Sequence, residues 1–73
     1  MNESMQQILK MFSEMNRDSL DLHTLFEAGG NDPSARHQVI DTVARLVREG
    51  YLEGQGSDFY ALTDKGREAV EQQ

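Results

Sequence analysis

Residues 32–54, DPSARHQVIDTVARLVREGYLEG, decide the fold of this chain. Asp32 is a good helix N-cap, and Pro33 suits the first helical position, where a missing N–H costs nothing. Beyond them Val39, Ile40, Val43, Leu46 and Val47 recur at steps of three and four. At about 100° per residue these five fall on one face of a helix running from Pro33 to Glu49. Ser34, His37, Gln38, Asp41, Arg45 and Arg48 project on the opposite face. Gly50 stops the helix, and the period then changes from 3.6 to 2. Tyr51–Glu53 and Asp58–Leu62 read as two short strands joined by Gly54-Gln55-Gly56-Ser57, a hairpin-turn composition. Tyr60 and Leu62 should share a face with Leu52 and close over the helices, while Phe59 and Ala61 point the other way.

Upstream, Asn2 to about Asn16 reads as an amphipathic helix. Met5, Ile8, Leu9, Phe12 and Met15 lie on one side, and Met1 and Met11 widen the apolar sector to about 160°. Asn16 to Ser19 is a polar break. A short helix follows from Leu20 to Ala28, with Leu22, Leu25 and Phe26 inward. Gly29-Gly30 ends it, since glycine accepts the left-handed conformation common at helix C-termini, and Asn31-Asp32 make the turn. Downstream, Thr63 caps a last helix reaching about Glu71, with Ala69 and Val70 as its apolar contact.

A chain of 73 residues makes one small domain, 1–73, that buries only about 60% of its unfolded surface. Hydrophobic residues at 37% and charged residues at 27% are those of a globular domain rather than a disordered tail. The absence of cysteine excludes disulfides, thiolate zinc sites and a cysteine nucleophile. No apolar run approaches the roughly 20 residues of a membrane span and no leader pattern is visible, so the expected compartment is the cytoplasm, with no membrane partner.

The net charge of -6 repels phosphate as a whole. It is unevenly spread, however. Arg36, Arg45 and Arg48 outnumber Asp41 and Glu49 between residues 33 and 49, the only stretch with a positive balance.

Two segments carry a family likeness. Leu46-Val47-Arg48-Glu49-Gly50-Tyr51-Leu52-Glu53, followed by Tyr60-Ala61-Leu62-Thr63-Asp64-Lys65-Gly66-Arg67-Glu68, resembles the end of winged helix-turn-helix transcription regulators of the MarR and PadR kind. The likeness spans roughly residues 19–70. It implies a mainly α fold with a small β-hairpin, ordered helix, helix, turn, helix, hairpin, helix. It also implies a third helix that enters the major groove of double-stranded DNA. Carried over by position, the DNA-facing residues are Ser34, His37, Gln38, Asp41, Thr42, Arg45 and Arg48. Gln can pair bidentately with adenine, Ser or Thr can serve base edge or phosphate, and Arg45 and Arg48 would meet backbone. A homodimer through the first and last helices would place two third helices about one helical turn apart. Arg36 falls toward the buried side and should snorkel past the core edge.

An alternative stays open. Asp41 and Arg45 are four residues apart and can pair as a helix-surface ion pair, leaving the face merely solvated. The hairpin tip, Glu53 to Asp58, has an acid at each shoulder and no base. An acidic protein-interaction module with a basic protein partner would account for both, and for an exposed Phe59. An enzyme is not expected. His23 and His37 have no fixed spacing, and no metal motif, phosphate loop or nucleophile elbow is present, so no metal and no cofactor are implied.

Overall fold

Three of the four helices among the described residues begin at a side chain that accepts a backbone N–H. In the computed structural model, which describes residues 2–30 and 32–72, Asn2 Oδ1 accepts from Met5 N–H at 2.8 Å and starts α1 (Glu3–Glu14). Asp32 Oδ1 accepts from Ala35 N–H at 2.8 Å, with Pro33 next, and starts α3 (Pro33–Arg48). Thr63 Oγ1 accepts from Gly66 N–H at 3.1 Å and starts α4 (Asp64–Glu71). The remaining helix, α2 (Leu22–Gly29), ends at Gly30, whose φ of 113° suits a residue without Cβ.

Three strands complete the chain: β1 (Ser19–Asp21), β2 (Leu52–Gly54) and β3 (Phe59–Leu62). They form an antiparallel sheet in the order β1-β3-β2. Leu52 stands opposite Leu62 across the hairpin, and Leu20 stands opposite Tyr60. The molecule is thus a mainly helical α+β domain in which α1, α2 and α3 pack together, the sheet lies against α2 and α3, and α4 returns to α1. Met5, Leu9, Phe12, Leu20, Leu25, Leu46 and Leu52 are its fully buried centre.

The structure departs from the sequence reading in several places. Ser19 and Leu20, read as break and helix, instead make β1, because Leu62 N–H donates to Asp18 O at 2.9 Å and Leu22 N–H to Asp58 O at 2.8 Å. Leu20 is buried as a strand residue rather than a helical one. Ala61 points away from Leu62 as expected but is also buried, between its register partners Ser19 and Glu53. Met15 lies past the end of α1, as its C-cap, and is exposed. Met1 and Asn31, given a core and a turn role from sequence, lie outside the described residues.

The Leu-Thr-Asp-Lys-Gly segment has a specific mechanical role. Thr63 Oγ1 donates to Gly50 O at 2.6 Å while capping α4, and Lys65 Nζ donates to Glu49 O at 2.8 Å. The same ammonium lies 4.5 Å from the centroid of the Tyr51 ring, a cation–π distance. Gly66 is pressed against the Tyr51 carbonyl, where no Cβ would fit. Gly50 itself has φ 87°, which lets the chain leave α3 and enter β2. The start of α4 therefore clamps the end of α3.

Candidate nucleic-acid interface

α3 is 16 residues long, about 24 Å at 1.5 Å per residue. Val39, Val43 and Leu46 bury one face of it against α1 and α2. The turn from α2 is held tight: a Cβ at Gly29 would stand 2.9 Å from Val39 Cγ2, so the two helices meet without a side chain between them. What remains outward is a face running from Ser34 to Arg48.

Of the seven residues expected there, Ser34, His37, Gln38, Asp41, Arg45 and Arg48 are exposed. Thr42 is not. At 9% exposure it lies inward with Val39 and Leu46, three residues before and four after it, and lines a small cleft of about 90 Å³ between α1 and α3. Thr42 is therefore withdrawn from the set. Gln38 sits at the rim of the same cleft, its Nε2 donating to Ser4 Oγ at 3.2 Å.

Two residues assigned inward are outward. Ile40 is 47% exposed and Val47 37%. The five apolar positions span a wider arc than the neighbouring helices cover, and these two, with exposed Ala44, emerge at its edge. Arg36 also clears the core, its guanidinium 5.0 Å over the Phe26 ring, so it covers an aromatic face while keeping its charge in water.

The electrostatics rest on a ladder of His37, Asp41, Arg45 and Glu49 at four-residue steps. Asp41 pairs with His37 at 3.6 Å, and not with Arg45 as the sequence suggested. Arg45 turns the other way and meets Glu49 at 2.9 Å. That hydrogen bond holds the Glu49 carboxyl below its ordinary value, with the charges of Arg45, Lys65 and Arg48 acting in the same direction. The Glu49 contribution should be complete above the ordinary carboxylate range and lost as pH falls through its lowered folded value. Arg45→Gln should return the Glu49 midpoint, followed by carboxyl NMR, toward ordinary; an unmoved midpoint would assign the effect elsewhere.

The hairpin adjoining this face carries Glu53 and Asp58 at its shoulders and Phe59 at 42% exposure. His23 pairs with Glu27 at 2.9 Å on α2, away from His37. Among the described residues no group of three or more His, Cys, Asp or Glu side chains could hold a metal ion, and no helix is long and apolar enough to cross a membrane. No family model, curated protein or solved structure matches the chain.

Proposed function

We propose that this chain is a small winged-helix protein that binds double-stranded DNA with the outer face of α3, in the manner of a transcription regulator. One observation carries the reading. A 16-residue helix, fixed by its inner face and clamped at its C-terminal end, presents Ser34, His37, Asp41, Arg45 and Arg48 to solvent along its length. An α-helix of this kind fits the major groove. The order of elements, with a tight α2–α3 junction and a hairpin directly after α3, supports the winged-helix assignment. With few basic side chains per subunit, binding would be strengthened by a homodimer through α1 and α4 that doubles the phosphate contacts.

A second reading is favoured by two specific observations. Arg45 is engaged by Glu49, and the hairpin tip is acidic beside an exposed Phe59. This arrangement suits an acidic module that docks a basic protein partner.

Residue-resolved NMR titration with a mixed-sequence duplex at about 20 mM salt separates the two, because phosphate contacts are strongest there. Shifts confined to Ser34–Arg48 that fade with added salt are expected. A silent spectrum would reject the DNA reading and turn attention to a basic protein. Two variants sharpen the result. Asp41→Arg replaces an acid by a base at the centre of the face and should tighten binding by about tenfold at low salt. Arg45→Glu should weaken it by at least as much, while the loss of the Glu49 pair lowers the melting transition only slightly and leaves the fold intact. Equal affinities for all three proteins would remove α3 from the interface.

A further inference from the structure

Arg45 stands in the middle of the face on which the DNA reading rests. At about 100° per residue it lies about 20° from Ser34 and about 40° from Asp41 around the helix axis. Its charge is nonetheless answered within the protein, since Arg45 Nε donates to Glu49 Oε2 at 2.9 Å. From Ser34 to Glu49 that face carries Arg45 and Arg48 against Asp41 and Glu49, beside His37, which pairs with Asp41. Arginines and acids balance, so the face offers phosphate little net attraction while both carboxylates stay in place.

Glu49 is held unlike an ordinary partner on a helix surface. It is the C-cap of α3, its N–H donating to Arg45 O at 2.9 Å and its carbonyl accepting from Lys65 Nζ at 2.8 Å. The next residue is fixed in turn, because Gly50 O accepts from Thr63 Oγ1 at 2.6 Å. The start of α4 thus anchors the backbone from which the Glu49 carboxylate reaches Arg45. The charges of Lys65 and Arg48 also act on that carboxylate, so a single acid is the counter-charge of three cations. A solvent-exposed pair of this spacing is weak, and a polyanion can displace it. Each displacement nevertheless subtracts from the binding it allows.

We infer that Glu49 competes with DNA phosphates for Arg45, a built-in counter-charge that holds duplex affinity down. This inference rests on the DNA reading above. It gives Glu49, which is not one of the expected contact residues, a part in setting the strength of that contact. It also reconciles the Arg45–Glu49 pair with a DNA-binding α3.

Fluorescence anisotropy with a mixed-sequence duplex of about 20 base pairs, at about 20 mM salt, tests this on the unaltered chain, Glu49→Gln, Arg45→Gln and the double variant. Glutamine at position 49 removes the carboxylate and keeps the backbone bonds to Arg45 and Lys65, so the melting transition should move only slightly. Glu49→Gln should bind about fivefold more tightly than the unaltered chain. The slope of log affinity against log salt should also steepen by about 0.9, the share of one phosphate. In the Arg45→Gln background the same change should gain less than about twofold, because no guanidinium is left to release. Equal gains in both backgrounds would overturn the competitor, assigning the effect to a general relief of repulsion, and leave DNA binding standing. No gain from Glu49→Gln would overturn it as well. Failure of all the proteins to bind would overturn both readings.

Discussion

Phe12→Ala should remove about 3–5 kcal/mol of folding stability, the usual effect of deleting a fully buried aromatic side chain. Phe12 is 1% exposed on α1, at the centre of the cluster that joins α1 to the other elements. A chain of 73 residues at about 0.05–0.15 kcal/mol per residue has only about 4–11 kcal/mol in total. The substitution should therefore remove a large share of that total and lower the midpoint of urea titrations followed by far-UV circular dichroism accordingly. Phe59→Ala is the internal comparison, since that ring is exposed and its loss should change stability by less than about 0.5 kcal/mol. A Phe12 variant with a midpoint close to that of the unaltered protein would mean that the core is centred elsewhere.

Gly66→Ala should be nearly as damaging, although it adds a single methyl group. The added Cβ would collide with the Tyr51 carbonyl oxygen and stand 3.1 Å from Leu62 Cδ2. Tyr51 O cannot retreat freely, because it accepts from Thr63 N–H at 3.1 Å and its residue is bound to the end of α3 through Tyr51 N–H and Leu46 O at 2.9 Å. Relief requires α4 to lift away, which breaks the Thr63 and Lys65 bonds to Gly50 and Glu49. Forcing extra volume into such a contact costs about 1–3 kcal/mol, with the upper end expected when backbone is the obstacle. Gly54→Ala provides the comparison, its Cβ meeting only Tyr60 Cε1 at 3.9 Å. If both variants melt alike, close approach at Gly66 is not what holds α4 in place.

The two substitutions also show what could be read from the residues alone. α3 was legible from end to end because several independent signals agree: a capping Asp32, Pro33 in the first turn, helical periodicity and a terminal Gly50. The hairpin was legible because alternation replaces that periodicity around a glycine-rich turn. β1 was not. Three residues with one apolar side chain carry no period, and their partner lies some forty residues away on β3. Leu20 earns its burial only when that strand arrives. Ile40 and Val47 were misplaced for a different reason: periodicity fixes the direction of a side chain but not the width of the surface that will cover it. The choice between Asp41 and Glu49 as the partner of Arg45 was equally beyond the sequence, since both stand four residues away.

The sequence motif on which the expected likeness to winged-helix regulators is based consists of residues that the structure places in the clamp and the hairpin: Gly50, Tyr51, Leu52, Leu62, Thr63, Lys65 and Gly66. All of them set the angle at which α3 is held. None lies among the six exposed residues of its outer face. A motif of this kind speaks for architecture, and the chemistry of binding has to be read from Ser34 to Arg48.

The sheet has one further consequence. β3 is enclosed on both sides, so among the described residues the open strand edges belong to β1 and β2, each three residues long. Asp21 lies on the first and Glu53 on the second. Edges so short and so charged make poor templates for a further strand. The protein is thereby guarded against ribbon-like aggregation, and any self-association it undergoes is left to its helices.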